Sequence, residues 1–368
     1  MKKMGIWMLI FALLLGLTAC NTAVTPTPED TDYQKGVAAL DKGDYTEAYD
    51  LLSRSTDERA AALLEKLVFV PTERTEGEGN TIRYRYDESG NILAVEGSYG
   101  NTATYTYNEK NQLVKLEEKT AGSLQTTAYT YNEAGDRVTK EWDGGEMKTH
   151  FAYTYDDKHR CVRVVQTDGD GSVFTTDRRY DDGDNLTFER VTYPDGTWYE
   201  ETATYAGDKL MEKTVSNSEG GRYQYVYTYN EAGLLLREDT GDSAYTYTYD
   251  GEGRLTKEVQ PDGTVITYTN DERGNCLTKT LVNTSGNTSV TTYTYDEQGN
   301  ILSWENQRGG KRRFTYDAYG NKLTEESIGD GERDYAWQYK WELRYYPDGV
   351  PAEVEEIRLE NVGERGVM

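Results

Sequence analysis

The sequence is poor in the side chains that most often carry catalysis and metal binding. Its 368 residues include only two histidines and three cysteines. Neither His150 nor His159 has a second ligand at the spacing of a metal site. No nucleophile motif, phosphate-binding loop or dinucleotide fingerprint is present. We therefore expect a protein that is not an enzyme and has no cofactor.

Basic residues are outnumbered by acidic ones. Lysine and arginine number 40 against 65 aspartates and glutamates, and the formal net charge is −25. Binding to phosphates needs clustered cations, so nucleic acid is a poor partner. Calcium prefers oxygen ligands and is an alternative for acidic turns such as Asp168, Asp170, Asp181, Asp182 and Asp184. No segment has the spacing of a calcium-binding loop, however, so solvated turn residues are the simpler interpretation.

Only one long apolar run occurs, and it lies near the N-terminus. Residues 6–17 follow Lys2 and Lys3 and lead into Leu-Thr-Ala-Cys at 17–20. The run is typical of a signal peptide, because a spanning helix needs about 20 residues. Its end matches the bacterial lipobox, which implies removal of residues 1–19 and lipidation of Cys20. The chain is then expected at the cell membrane, anchored by lipid and facing the extracellular or periplasmic side.

A tether and a helical segment are predicted next. Residues 20–31 contain two prolines and no apolar periodicity, as in a flexible linker. Residues 32–70 have apolar residues at helical spacing on both sides of Gly43-Asp44, which predicts a helical hairpin followed by a third helix. The hairpin resembles one tetratricopeptide motif. A single copy forms no binding groove, so we expect a cap over the first strand of the sheet that follows.

Tyrosine, with 32 copies, is abundant, and much of it belongs to a repeated segment. The clearest copies of Tyr-x-Tyr-Asp-x-x-Gly are residues 84–90, 247–253 and 293–299, and at least eleven copies follow one another at spacings of 20 to 29 residues. Such a period indicates a repeat architecture. Alternation places both tyrosines of each copy on one face of a strand. Asp-x-x-Gly predicts a hairpin turn with a left-handed glycine. The predicted turn glycines are Gly90, Gly135, Gly233, Gly253, Gly299 and Gly320.

The element Tyr-Asp-x-x-Gly-[Asn/Arg]-x-Leu resembles the YD repeat of the Rhs family over about residues 81–350. The resemblance implies a β-sheet that winds into a spiral shell able to enclose a cargo. The stretch after 345–349 lacks the family's closing signature, and too few residues follow for a toxin domain. We therefore predict an open arc rather than a closed shell. A MORN-type repeat, suggested by residues 194–199 and 261–264, is a second candidate.

The predicted fold is thus mostly β, a long antiparallel meander of hairpins over residues 78–350 that forms a curved or spiralling open sheet. A short N-terminal helical cap precedes it, and a tail at 351–368 follows. The predicted function is non-catalytic binding of polysaccharide or of a protein partner at the cell surface. The alternatives are a scaffold for a toxin or hydrolase, and a structural spacer.

Exposed aromatic side chains are the candidate ligand contacts, namely Trp142, Trp198, Trp304 and Trp337. Tyrosine and tryptophan offer flat faces for stacking on sugars or on a partner protein. The acidic net charge favours neutral or basic ligands.

Overall fold

The computed structural model describes residues 31–77, 79–241, 243–329 and 334–362. The predicted signal peptide, Cys20 and nearly all of the tether lie outside these ranges. The chain divides into two units, residues 1–64 and 65–368. Within the described ranges, no helix is long and apolar enough to cross a membrane.

The described part of the first unit consists of three helices, α1 (Thr31–Lys42), α2 (Tyr45–Arg54) and α3 (Arg59–Leu64). Gly43 has a φ of 77° between the first two helices. The Asp44 carboxylate caps α2 by accepting from the Glu47 amide at 3.2 Å. The predicted hairpin is therefore present, whereas its kinship with tetratricopeptides stays a prediction.

The described part of the second unit contains 24 strands and one α-helix. They are β1 (Leu67–Glu76), β2 (Thr81–Tyr86), β3 (Ile92–Glu96), β4 (Thr102–Tyr107), β5 (Leu113–Thr120), β6 (Ser123–Tyr131), β7 (Arg137–Asp143), β8 (Lys148–Tyr155), β9 (Cys161–Asp168), β10 (Val173–Tyr180), β11 (Leu186–Thr192), β12 (Trp198–Ala206), β13 (Lys209–Asn217), β14 (Arg222–Tyr229), β15 (Leu235–Asp239), β16 (Ala244–Tyr249), β17 (Leu255–Val259), β18 (Val265–Asn270), β19 (Cys276–Val282), β20 (Thr288–Tyr295), β21 (Ile301–Asn306), β22 (Lys311–Tyr316), β23 (Lys322–Ile328), β24 (Tyr335–Tyr345) and α4 (Ala352–Val362).

The sheet is closed, and the prediction of an open arc is wrong. Each strand pairs antiparallel with the next in sequence, and β1 also pairs with β24, from Leu67 opposite Tyr345 to Glu76 opposite Trp337. Closure satisfies both edges of the sheet, so the reason for expecting a helical cap over the first strand disappears. Two boundaries also differ from the prediction. Residues 67–76 form a strand rather than the end of a third helix, and much of the predicted tail forms α4.

The hairpin turns agree with the sequence pattern. The six predicted turn glycines have φ values of 80° to 96°, the left-handed conformation that glycine adopts without steric cost. In the turn that begins at Asp296, carboxylate Oδ1 accepts from the amides of Gln298 and Asn300, and Oδ2 accepts from the Asn300 side chain. In the turn that begins at Asp250, the Nε of Arg254 likewise donates to Oδ2 of the aspartate. This explains why asparagine or arginine follows the glycine.

Tyrosine hydroxyls connect most hairpins to the preceding one. The tyrosine that precedes the first turn residue, aspartate or asparagine, donates to a backbone oxygen at or next to the start of the preceding return strand. Examples are Tyr131 to Leu113 at 2.7 Å, Tyr229 to Leu210 at 2.9 Å and Tyr295 to Cys276 at 2.8 Å. Tyr86 donates in the same way to Pro71 of β1 at 2.8 Å. Strand β1 therefore occupies the place of a preceding return strand, although its sequence has no repeat signature.

The tyrosine face of the sheet is the inner one. Val354 and Ile357 of α4 pack in one core with Val70, Tyr84 and Ile92. On one side of the β1–β24 seam, Glu353 of α4 lies near Tyr107 of β4. Burial raises the pKa of this tyrosine most, and the charge of Glu353 raises it further. At the other side, Glu360 borders a cavity formed with β20–β24. Strands β4 and β20 lie eight steps apart, roughly 40 Å along the sheet, whereas an 11-residue helix spans about 16 Å. Only the concave face brings both close to α4.

Candidate functional site

The cross-strand register divides the four candidate tryptophans. Trp304 lies opposite Tyr293 and Arg312, and Trp337 lies opposite Glu325. Both belong to the inner face and line one cavity. The two other tryptophans, Trp142 and Trp198, do not line this cavity.

Trp142 also lies on the inner face. It pairs with Thr127, which is two residues before Tyr129 in β6 and therefore shares the face of that tyrosine. Its ring covers the backbone of Gly144, where an added Cβ would clash with the indole. Trp198 pairs with Thr192 on the outer face, and the Arg190 guanidinium stacks 4.3 Å from its ring centroid. The structure thus brings together two of the four predicted contact residues.

The cavity that contains Trp304 and Trp337 has a volume of about 710 Å³. It is formed by one face of β20–β24, by β1 and by Glu360 of α4. Its lining residues are Arg74, Thr291, Tyr293, Ile301, Trp304, Asn306, Arg312, Phe314, Lys322, Glu325, Trp337, Tyr339 and Glu360. A volume of this size lies within the range of small-molecule sites in proteins.

A buried carboxylate organises one wall of the cavity. Glu325 accepts from Lys322 at 2.7 Å, from Tyr335 at 3.0 Å and from Tyr339 at 3.2 Å. The side chains of Lys322 and Glu325 are only 4% and 12% exposed. Burial opposes the charge of Glu325, but the hydrogen bond and charge of Lys322 outweigh it and hold the pKa of this carboxyl below its usual value. Burial, followed by the charge of Glu325, raises the pKa of Tyr335.

Two arginines face the same space. The Arg74 guanidinium lies 4.5 Å from the ring centroid of Trp337. Arg312 lies 5.6 Å from the ring of Trp304 and 5.8 Å from that of Tyr335. Within the part of the chain described, the Nε atoms of both arginines are buried and have no hydrogen-bond partner. Three cations, including Lys322, therefore meet two carboxylates at this cavity, whereas the chain as a whole is strongly acidic.

One feature of the sequence indicates this cationic cluster. Residues 311–313, Lys-Arg-Arg, are the only run of three basic residues in the chain. In β22, Arg312 stands two residues before Phe314, on the face that carries tyrosine in other repeats. The run alone does not show that Arg74 joins it, because that contact depends on the pairing of β1 with β24.

The other polar candidates have turn or strand roles. Asp170 accepts from the Ser172 amide, Asp181 accepts from the Asn185 amide, and Asp184 pairs with Arg160. His159 adopts a φ of 61° in place of a turn glycine, and its Nδ1 lies 2.9 Å from Asp136. Across the ranges that the structure describes, no cluster of three or more histidine, cysteine or acidic side chains is arranged to hold a metal ion.

The family model of the RHS repeat matches residues 229–265. This stretch contains the hairpin of β15 and β16 and the Tyr-Thr-Tyr-Asp element at 247–250. The tyrosine hairpins within this stretch are therefore RHS repeats. The match confirms the recognition of the YD repeat in this sequence.

Similar solved structures include parts of toxin complexes. The Tc holotoxin pore of Photorhabdus luminescens is 16% identical, with 75% of this chain and 16% of that chain covered and a TM-score of 0.47. The TcdB2–TccC3 structure is 17% identical, with 78% and 18% covered and a TM-score of 0.45. This chain spans less than a fifth of either. A porin-like protein from Bacteroides uniformis is 14% identical, with 75% and 97% covered and a TM-score of 0.24. No curated protein matches the chain.

Proposed function

We propose that this chain is a non-catalytic binding protein in which the RHS-repeat barrel receives a glycan in its lumen, on the aromatic side chains of Trp304 and Trp337. The single observation that supports this most directly is the cavity of about 710 Å³ that contains both tryptophans. Each indole has one face beside a cation and lies among polar groups that can orient a ligand. Such a combination of flat apolar surface and few fixed polar groups is typical of binding sites.

A second candidate is an Rhs-like scaffold that encloses a polypeptide. The observation that favours it is the closed pairing of β1 with β24, which surrounds a lumen on all sides. Part of that lumen contains α4, whose Val354 and Ile357 are buried against the barrel wall. A structural spacer would require neither the cation cluster nor the buried Glu325, so it accounts for fewer of the observations.

The test is a glycan-array screen with soluble residues 21–368, followed by calorimetry on the ligands found. We expect Trp304→Ala and Trp337→Ala to weaken binding about tenfold each, since a lost aromatic contact of about 1.4 kcal/mol corresponds to that factor. Trp198→Ala is the matched control, because this tryptophan lies on the outer face and should leave the affinity unchanged.

Two outcomes would contradict lumenal glycan binding. The first is a ligand that both lumenal variants bind as tightly as the wild type. The second is an array without any bound glycan, combined with a polypeptide that remains associated with the barrel during purification, which would favour the scaffold.

We also propose that the barrel is displayed on a membrane through lipidated Cys20, with polysaccharide or a protein as its partner there. The support is the Leu-Thr-Ala-Cys sequence at 17–20 after a short apolar run. In a bacterial host, the wild type should partition into detergent, and Cys20→Ser should be released in soluble form. Equal partitioning of the two chains would exclude the anchor.

A further inference from the structure

We propose that the lumenal cavity selects a carboxylate-bearing sugar, and that Arg74 and Arg312 are the residues that bind the carboxylate. This inference deepens the proposed function and rests on it, because it assigns the chemistry of the ligand at the same cavity. It concerns the charge of the bound sugar, whereas the proposed function concerns whether a sugar binds at all.

Arg74 is the first observation. Its guanidinium has a stacking contact with Trp337, but it has no hydrogen-bond or ion-pair partner among the residues described, and its Nε is shielded from solvent. A shielded N–H donor without an acceptor is costly, so proteins normally provide an acceptor for it. A planar guanidinium matches the two oxygens of a carboxylate. The cavity side of Arg74 is where a ligand oxygen would complete the site.

Arg312 is the second observation. Its Nη1 lies 3.8 Å from Oε1 of Glu325, beyond hydrogen-bond distance, and its Nε is buried without a partner. Glu325 already accepts hydrogen bonds from Lys322, Tyr335 and Tyr339. Its closest cation is Lys322, at 2.7 Å. Arg312 therefore has only a long ion pair with Glu325, and Arg74 has no ion pair among the described residues, so both guanidinium groups keep hydrogen-bond donors for a ligand.

Glu360 limits this excess of positive charge from the other side of the cavity. Its side chain is exposed, and it borders the cavity as part of α4. A carboxylate there repels a second carboxylate that enters. Removing its charge should therefore strengthen the binding of an acidic ligand and leave a neutral ligand almost unaffected.

The lining favours a sugar as the carrier of the carboxylate. Trp304 and Trp337 present flat apolar faces next to the two arginines. A pyranose ring has a flat C–H face and a rim of hydroxyls, and Tyr293, Asn306 and Tyr339 provide polar groups along the same wall. An acidic peptide shares the carboxylate but lacks the rigid flat ring.

The overall acidity of the chain does not oppose this site. Net charge acts over distance through water and is screened within about 8 Å at physiological ionic strength. Inside the cavity, the nearest groups determine the interaction, and these are mainly cationic. The sequence-based expectation of a neutral or basic ligand therefore applies to the outer surface, and the lumen is a local exception.

The experiment compares three probes by isothermal titration calorimetry on soluble residues 21–368: a trimer of galacturonic acid, maltotriose as a neutral trimer, and a trimer of glutamate. We expect the wild type to bind the uronate trimer at least about tenfold more tightly than maltotriose, since a hydrogen bond to a charged group contributes about 1.5–3 kcal/mol. The glutamate trimer should bind more weakly than the uronate trimer.

Four variants locate the effect. Arg74→Gln and Arg312→Gln should each reduce the preference for uronate over maltotriose about tenfold while maltotriose still binds, which also shows that the variants are folded. Glu360→Gln should strengthen uronate binding severalfold. Arg179→Gln is the matched control, because this exposed arginine stacks on Phe188 on the outer face, 3.8 Å from the ring centroid.

The outcomes separate this inference from the proposed function. If uronate and maltotriose bind equally well, or if the arginine variants keep the preference, the carboxylate site is wrong while lumenal glycan binding stands. If the glutamate trimer binds as tightly as the uronate, the site recognises charge rather than a sugar. If neither trisaccharide binds, the proposed function fails and this inference fails with it.

Discussion

At the scale of single residues, the second tyrosine of each Tyr-x-Tyr-Asp element does more than fill space. Its ring lies on the lumenal face, and in most repeats, Tyr107 excepted, its hydroxyl donates to a backbone oxygen near the start of the preceding return strand. Tyr295 pairs with Ile301 after a register shift, while its hydroxyl reaches Cys276 at 2.8 Å. Phenylalanine would keep the ring but lose this bond, which explains the repeated use of tyrosine.

We predict that Tyr295→Phe lowers the free energy of unfolding by about 1 kcal/mol, because it leaves the Cys276 carbonyl without its donor. Tyr107→Phe is the matched control. Tyr107 occupies the same position in its repeat, but its buried hydroxyl has no partner among the residues described, so its loss should be neutral or slightly stabilising. Urea unfolding of both variants measures the difference. Equal losses would show that the hydroxyl bond contributes nothing beyond burial.

Other residue roles were only partly visible in the sequence. The Asp-x-x-Gly turns and their glycines were predictable, because a left-handed turn restricts the residue type so strongly. Which tryptophans lie on the inner face and which on the outer face was not predictable. Trp198 opens a tyrosine strand and Trp304 lies in a return strand, and the strand register places one outside and the other inside the barrel. A single-residue shift of register exchanges the two faces, and sequence alone does not fix that register.

At the scale of elements, the repeats were predicted well and the segments without a repeat were not. Strands β2 to β23 follow the alternation of tyrosine strand, turn and return strand. Strand β1 begins with Leu67-Val-Phe-Val, a short apolar run that fits a helix or a strand equally well. It becomes a strand because it pairs with β2 on one side and with β24 on the other. This tertiary context is absent from local sequence.

Helix α4 was missed for a related reason. Its glutamate-rich sequence has few apolar residues, and it was predicted as part of a tail. Its buried positions, Val354, Ile357 and Asn361, are spaced by three and four residues and meet the wall formed by Tyr84 and Ile92. Asn361 lies 3.3 Å from the hydroxyl of Tyr84, and it also donates to the Ile357 carbonyl. The lumen provides an apolar surface for the helix, and only a closed sheet has a lumen.

At the scale of the whole sheet, closure is the feature that could not be predicted from the sequence. Each hairpin adds twist and curvature, but the sum over 24 strands depends on small angles that residue patterns do not report. The seam joins residues more than 250 positions apart. Tyr346 is 2% exposed there; its amide donates to Lys66 and its hydroxyl donates to Gly90, in the turn between β2 and β3. One tyrosine therefore connects the end of the array to its first hairpin across β1.

We predict that Gly90→Ala loosens this seam specifically. Gly90 has a φ of 85°, and an added Cβ would lie 2.5 Å from the Tyr346 ring, so alanine brings both backbone strain and displacement of the ring. Gly286→Ala is the matched control, because Gly286 has a φ of 79° but no heavy atom within 4 Å of an added Cβ. Both variants should lose stability through strain, on the order of 1 kcal/mol.

Hydrogen exchange distinguishes seam opening from general destabilisation. In Gly90→Ala, amides of β1 and β24 should exchange about tenfold faster than in the control variant, since displacing Tyr346 removes about 1.4 kcal/mol from the local opening free energy. Amides of β12 and β13, on the far side of the sheet, should exchange at the same rate in both variants. If the amides of β1 and β24 exchange no faster than they do in Gly286→Ala, Tyr346 does not stabilise the seam. Closure then depends on the nine residue pairs between β1 and β24.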